Sequence, residues 1–307
     1  MDKKIEVISN ETRFLIVDGN SIGFRAAMAK QKGKEDMKTI SGKNTGTIYR
    51  FFSMLNRIFR EVKPTHLIIC FDTPGKTFRY NLDETYKANR SKTQFKEDIY
   101  NQFEDIKSIL NLVGIKYDNI KGYEGDDLIA SYLNNSKADK NYILSGDKDI
   151  FQLINDNTFI LYPIKGISEL QVYDKQKFKD RFEFDVDKYI DYKALVGDNS
   201  DNITGAKGIG EKTAVTLLEK FGSINNLVNN LQNERKDIRG WKKISKIISE
   251  WDSNKTLKLV TILKDVDVNH SFEDCLVDLK WKNAIPLLKE FEFEFMINKI
   301  NGGNFFE

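Results

Sequence analysis

Short apolar runs alternate with longer stretches of helical periodicity through the first half of the chain. Residues 14–17 and 67–71 are continuous apolar runs, the pattern of strands buried on both faces. Residues 47–62 and 95–113 space their apolar positions by three and four, which predicts amphipathic helices. Short strands follow at 115–120 and 142–144, and helices at 124–133 and 149–154. Strands alternating with helices predict an α/β fold whose mostly parallel sheet is covered on both faces. Residues 158–163 and 168–173 predict a hairpin across Lys165-Gly166. From Val186 onward the pattern is helical and richer in Lys and Asn. The expected division is an α/β domain over 1–185, a smaller helical domain over 186–280, and a segment 281–307 that returns to the first domain.

Composition narrows the class. Of 307 residues 40% are hydrophobic, and 48 Lys+Arg nearly balance 46 Asp+Glu, which excludes a disordered charged tail. Two cysteines, Cys70 and Cys275, are too few for a disulfide framework or a thiolate zinc cage. Two histidines, His66 and His270, are too few for a histidine metal site, so any metal must be held by oxygen. His66 lies in an apolar run and reads as structural. Residues 1–13 lack the apolar core of a secretory signal, and no apolar run nears the roughly 20 residues of a membrane helix. A soluble, reduced, cytoplasmic protein is expected.

The acids fall in informative places. Asp18 and Asp72 directly follow the first two strands, Asp147 and Asp149 follow the strand at 142–144, and Glu124, Asp126 and Asp127 open the helix after another. In a parallel sheet the carboxyl ends of the strands share one edge, where ligands bind. Each acid alone also reads as a helix N-cap or turn residue. Four junctions behaving alike favour a cluster, which needs cations or raised pKa values to persist. All-oxygen ligands select Mg2+ or Mn2+ where a phosphate completes the shell, and two ions about 4 Å apart suit phosphodiester hydrolysis. Asp198 and Asp201, in a turn after a helix, read either as solvated capping acids or as a second metal platform over the same cleft. Setting these nine acids aside leaves 48 basic residues against 37 acidic, a net +11 outside the cleft. That balance fits a metal-dependent enzyme acting on nucleic acid.

Basic residues add to this. Between Pro74 and Lys96, basic residues including Lys76, Arg79, Lys87 and Arg90 interleave with Phe78, Tyr80, Tyr86 and Phe95. Cations with stacking faces hold single strands, although the same composition suits a solvated loop. Gly205-Ala206-Lys207-Gly208-Ile209-Gly210-Glu211-Lys212 precedes an apolar-periodic helix. It reads as a plain helix connection, or, with Lys207 and Lys212, as a backbone N–H grip on a DNA phosphate near Gly208 and Gly210. Arg25, in the helix after Asp18, can reach a phosphate or pair with a site carboxylate.

With these residues assembled, the chain resembles the 5′ nuclease (flap endonuclease) family, most closely the 5′→3′ exonuclease domain of bacterial DNA polymerase I. The resemblance rests on Val17-Asp18-Gly19, Phe71-Asp72, Gly75-Lys76-Thr77-Phe78-Arg79, Tyr86-Lys87-Ala88-Asn89-Arg90, Glu124-Gly125-Asp126-Asp127, Gly146-Asp147-Lys148-Asp149, Gly197-Asp198-Asn199-Ser200-Asp201 and Gly208-Ile209-Gly210. It implies a three-layer αβα core with a helical arch over about 74–100 and a helix–three-turn–helix element holding duplex DNA. It implies one metal on Asp18, Asp72, Glu124, Asp126 and Asp127, and another on Asp147, Asp149, Asp198 and Asp201. Lys87 and Arg90 would steer the scissile phosphate, Tyr86 would stack on a base, Lys193 would lie near the site, and K+ would assist the loop at Gly208 and Gly210. Gly125, where the family usually has Ala, is expected to loosen that helix start without touching a ligand. The expected activity is metal-dependent 5′→3′ exonuclease and flap cleavage of DNA with flaps, nicks or ends, leaving 5′-phosphates. The implied setting is a monomer at the nucleoid, serving primer removal and repair beside a separate polymerase and ligase. A PIN-like ribonuclease and an inactive DNA-binding module are the rival readings.

Overall fold

The structure is a computed structural model, and it describes residues 10–29, 36–89, 94–165, 169–303 and 305–306. The first part of the chain runs through β1 (Arg13–Asp18), α1 (Gly19–Met28), α2 (Gly46–Val62), β2 (His66–Cys70), α3 (Phe78–Leu82), α4 (Gln94–Val113), β3 (Lys116–Asp118), α5 (Gly125–Asn134), β4 (Lys140–Leu144), β5 (Thr158–Lys165) and β6 (Glu169–Tyr173). These strands form one sheet in the order β3-β2-β1-β4-β5-β6, parallel except for the β5–β6 hairpin. The hairpin's turn at Lys165-Gly166 falls partly outside the described residues.

Alternation within the strands explains the layers. Phe14, Ile16, Ile68, Cys70 and Ile143 point to one face, and Leu15, Val17, Leu67, Ile69 and Leu144 to the other. Both faces are covered, so the strands read as unbroken apolar runs. One face carries α1, α2 and α4, and the other carries α5. The sheet reverses its winding between β1 and β4, and parallel register sets Val17 beside both Ile69 and Leu144. Asp18 at the end of β1 and the loops carrying Asp72 and Asp147 therefore leave the sheet level with one another at the switch point, where a crevice opens.

The rest of the chain contributes α6 (Lys175–Phe182), α7 (Tyr189–Val196), a small ladder of β7 (Gly197–Asp198) and β8 (Ile203–Thr204), then α8 (Glu211–Phe221), α9 (Ile224–Asn229), α10 (Trp241–Glu250), α11 (Ser253–Val260), α12 (Ile285–Glu290) and α13 (Glu294–Asn301). A separate apolar cluster joins α7 to α11 through Leu195, Leu217, Leu218, Trp241 and Leu259. The chain leaves that cluster at Val260, earlier than the expected return at 281, and Ile262, Val266 and Cys275 pack on the α5 face of the sheet. Polar groups stitch this strap down: Gln152 holds Val260 and Ile262, and Ser131 Oγ accepts from Val266 N. Trp281, α12, α13, Phe305 and Phe306 then complete the opposite face. His66 is structural as expected, stacked on Phe272 of the strap with ring centroids 3.9 Å apart.

Candidate active site

Four of the acids are fixed first by backbone N–H groups, three of them local. Asp18 caps α1 by accepting from Ser21 N at 2.8 Å, Asp72 accepts from Gly125 N at 2.7 Å, and Asp147 accepts from Asp149 N at 2.9 Å. Asp198 accepts from both Ser200 N and Ser200 Oγ. The capping role and the clustering role coexist, because a carboxylate has lone pairs for a local turn and others for the cleft. Sequence reading missed the small polar partners that aim them. Ser145 Oγ donates to Asp18 Oδ2 at 2.6 Å and accepts from Asp147 N, Asn20 Oδ1 accepts from Asp72 N, and Ser21 Oγ accepts from Gly146 N. Their signal was adjacency: Asn20-Ser21 follows Asp18, and Ser145 precedes Gly146-Asp147.

The acids sort into groups by their electrostatic partners. Asp18, Asp72, Asp126 and Asp147 act on one another. Burial, reinforced by Asp72 and Asp147, raises Asp18 to about 7 against the opposing bonds from Ser145 and Ser21. Burial and the charges of Asp147, Asp18 and Asp72 likewise push Asp126 well above the carboxylate range. A second group, Asp149 and Asp198, shares the Lys193 ammonium, which lies 2.5 Å from Asp149 Oδ1 and in direct contact with Asp198 Oδ2. Burial raises Asp149 to about 6 although Lys193 opposes it, whereas Lys193 and Ser200 outweigh burial at Asp198 and hold it at about 2. A third group, Glu124 and Asp201, meets the turn after α3: Lys87 Nζ lies 2.8 Å from Glu124 Oε1 and 3.6 Å from Asp201 Oδ2. That turn is docked by Lys87 N donating to Asp201 O, Asn89 Nδ2 to Asn199 O and Asn202 Nδ2 to Thr85 O.

Three candidate site residues are corrected. Asp127 is fully buried and both its oxygens are taken, by Arg79 Nη1 and Nη2 at 2.8 Å each, by Leu263 N and by Glu124 N, so it has no lone pair to offer an ion in the cleft. Arg79 is 2% exposed and presents nothing to DNA. Tyr86 does not offer its ring to a base: the ring packs in the helical cluster, and its hydroxyl lies between Glu124 Oε2 at 3.0 Å and Asp201 Oδ2 at 3.1 Å. An apolar ring with one donor is driven to a buried place where carboxylates accept that donor. Gly125 also departs from expectation, since a Cβ there would lie 3.2 Å from Asp72 Oδ1.

Other basic residues lie around the rim. Lys76 is exposed with its ammonium 3.7 Å over the Tyr80 ring, and Arg25 is half-buried beside Gly146. Lys207, Gly208, Gly210 and Lys212 are exposed at the start of α8, with Gly208 at φ +102°, a turn only glycine makes without strain. A depression of about 180 Å³ lies beside this loop, lined in part by Asn199, Asn202 and Thr204. Arg90 lies outside the described residues.

Residues 13–183 match the model of the 5′-3′ exonuclease N-terminal resolvase-like domain, and 184–291 match that of the 5′-3′ exonuclease C-terminal SAM fold. The chain belongs to the 5′-3′ exonuclease family. This 5′ nuclease is 32% identical over 285 residues to DNA polymerase I of Lactococcus lactis subsp. cremoris and 29% identical over 298 residues to that of Bacillus subtilis. Those matches cover 91% and 95% of this chain but 32% and 33% of the relatives, so the chain spans about a third of their length. Among solved structures, the bacteriophage T5 flap endonuclease, in a complex with DNA and metal ions, aligns with a TM-score of 0.66 at 21% identity, covering 81% of this chain and 88% of that one. The catalytic core of Rad2 with DNA substrate aligns with a TM-score of 0.60 at 15% identity, covering 94% and 89%. Both share the fold: a mostly parallel sheet between helices, followed by a helical element.

As a member of that family, this 5′ nuclease is a hydrolytic enzyme. Among the described residues no three acids, histidines or cysteines are drawn together at ligating distance for one ion. The donor set nevertheless fits a hard divalent ion. Asp18, Asp72, Asp126 and Asp147 are all oxygen donors, repel one another, and include two acids whose ionised form is disfavoured without a cation. No helix among the described residues is long and apolar enough to cross a membrane.

Proposed function

We propose that this chain is a divalent-metal-dependent nuclease that hydrolyses DNA phosphodiesters from 5′ ends and at the base of 5′ flaps, leaving 5′-phosphates. The observation that carries this reading is the convergence of Asp18, Asp72 and Asp147 from the ends of β1, β2 and β4 with Asp126 from the first turn of α5 into one self-repelling group. Bound there, Mg2+ or Mn2+ would supply Lewis-acid polarisation of the phosphate and a low-pKa water. Asp18, Asp72, Glu124 and Asp126 would hold one ion and Asp149, Asp198 and Asp201 a second, with Asp147, expected on the second, acting on acids of both groups.

The chain's own groups account for the rest. Ser145, Ser21 and Asn20 keep the carboxylates aimed into the crevice. Lys87 steers the scissile phosphate, because its ammonium already sits at the acids' edge, and the resemblance gives Arg90 the same role. Lys193 holds Asp149 and Asp198 in place and offers a positive charge to the developing oxyanion. Arg25 and Lys76 take phosphates at the rim. Lys207, Gly208, Gly210 and Lys212 hold the duplex backbone, with K+ as the monovalent ion of that loop. The resemblance further supports action as a monomer at the nucleoid in primer removal and repair, beside a polymerase and a ligase.

A 5′-labelled flap duplex, incubated with and without Mg2+, tests this reading. The expected result is metal-dependent cutting near the junction, abolished by Asp201→Asn and strongly reduced by Lys87→Ala. Tight binding without cutting in Mg2+ or Mn2+ points to a binding module, and preferential cleavage of single-stranded RNA points to a ribonuclease. Either of those overturns it.

A further inference from the structure

Asp127 and Arg79 form the most completely satisfied polar unit beside the cleft, and the chemistry proposed above uses neither. The Arg79 guanidinium makes a two-pronged pair with Asp127 and also donates to Leu259 O at 3.0 Å and Thr261 O at 2.8 Å, with Glu124 Oε2 at 3.4 Å. Asp127 in turn accepts from Leu263 N at 2.9 Å and from Glu124 N at 3.1 Å, closing a capping box at the start of α5. Burial disfavours the arginine's charge, and the Asp127 pair more than offsets it. Three chain segments meet at this pair: α3, the first turn of α5 that carries Glu124 and Asp126, and the strap leaving the helical cluster.

We infer that Asp127 is a positioning residue and that the Arg79–Asp127 pair sets the orientation of Glu124 and Asp126 toward a divalent ion. The inference rests on the metal-dependent reading above. The geometry has a physical logic. Glu124 is bonded to the pair through its backbone N–H and, at 3.4 Å, through its side chain. Asp126, one residue before Asp127 on the same turn, cannot rotate away while its neighbour is locked to Leu263 N and Arg79. The carbonyls of Leu259, near the end of α11, and Thr261, at the start of the strap, hold the planar guanidinium in one orientation, which a lysine's single ammonium cannot reproduce.

A double-mutant cycle on the full chain separates positioning from direct ligation. Mn2+ affinity is read without DNA by the loss of its free-ion EPR signal, flap-duplex affinity in EDTA by fluorescence anisotropy, and folding by circular dichroism. The expected result is that Asp127→Asn and Arg79→Lys each weaken Mn2+ binding on the order of 10-fold. The double variant should be no weaker than either single, because both break one unit. Flap-duplex affinity in EDTA should be unchanged, and Asn269→Ala, which removes a strap bond to Asp118 away from the pair, should leave Mn2+ affinity at the wild-type value. If Arg79→Lys does not fold, Arg79→Gln takes its place. Weakened Mn2+ binding by Asp127→Asn with a wild-type Arg79→Lys would make Asp127 a ligand and overturn the inference. Loss of thermal stability with unchanged Mn2+ affinity in both variants would reduce the pair to a structural staple. Wild-type protein that binds no Mn2+ would instead overturn the metal-dependent reading itself.

Discussion

The two sides of the acidic cleft are built from the same residue type and reach opposite electrostatic states. On the sheet side Asp18 and Asp126 stand on rigid strand and helix ends, raised by burial and by neighbouring acids, with bonds from Ser145 and Ser21 opposing this at Asp18 and the Lys87 charge opposing it at Asp126. On the β7 side Asp149 and Asp198 grip Lys193 from α7, and Asp198 is held at about 2 while Asp18 is pushed to about 7. The β7 side carries its own cation, although burial still holds Asp149 at about 6, whereas Asp18 and Asp126 favour their protonated form until something else supplies positive charge. Rigid strand ends cannot relax into water or away from one another, so the cost of burying charge there, and the smaller repulsion between the acids, is retained. A turn on a helix end can recruit a lysine and discharge it.

The largest effect expected from this contrast is at Asp18. Replacing it with Asn keeps the cap on α1, since an amide oxygen still accepts from Ser21 N, and removes one anion from the self-repelling side. Flap cleavage should fall by roughly 10³-fold, because several kcal/mol of charge stabilisation at the metal are lost. Stability without metal should move the other way. The folded pKa of Asp18, about 7, lies above its ordinary value of 3.8. Its contribution is therefore fully present below pH 4 and is lost as pH rises through 7. Asp18→Asn should match wild type near pH 4 in EDTA and exceed it above pH 7, by at most about 4 kcal/mol. Denaturant melts at both pH values measure this, and a variant less stable than wild type at pH 8 would show that the sheet side retains no such cost.

Much of this was legible in the sequence, and the reasons are local. Strand runs at 14–17 and 67–71 carry their own pattern, and an acid directly after a buried parallel strand has one place to go. Asp126 and Asp127 were not separable in that way. They are neighbours in a helical turn, and what distinguishes them is Arg79, 48 residues earlier, and the backbone N–H of Leu263, 136 residues later. Arg79 itself read as part of a basic DNA-facing segment because spacing along the chain does not reveal that α3 turns it inward. Tyr86 was misplaced for a related reason: its apolar partners lie in helices more than 100 residues away. The strap after Val260 lacks strong periodicity, so its path back across the sheet came only with the tertiary structure.

A second, smaller effect sharpens the comparison from the other side. Lys193→Met would leave Asp149 and Asp198 facing each other without their shared cation. The three groups are only partly shielded from water, so stability in EDTA should drop by about 2 kcal/mol, less than the ~3–5 kcal/mol for breaking a fully buried pair. Addition of Mg2+ should recover most of that loss, because an ion can replace the ammonium's charge. Thermal melts in EDTA and in Mg2+ test it. Equal melting of variant and wild type in EDTA would mean that Lys193 does not discharge this side.

The smallest expected effect is at Gly125, where the sheet side meets α5. Its N–H donates to Asp72 Oδ1 at 2.7 Å, and an added Cβ would approach the same oxygen to 3.2 Å. Alanine at this first helical position gains up to about 1 kcal/mol of propensity, which favours the fold. The methyl must also push the Asp72 carboxylate by a few tenths of an ångström, and Asp72 is exposed enough to yield. The two effects fall on different observables. Gly125→Ala should melt at the same temperature or slightly higher, while its Mn2+ affinity, read by EPR, should fall by about twofold to threefold through the displaced carboxylate. A gain in stability with unchanged Mn2+ affinity would show that Asp72 moves freely at this contact. In that case the rigidity of the sheet side lies in Asp18 and Asp126 alone.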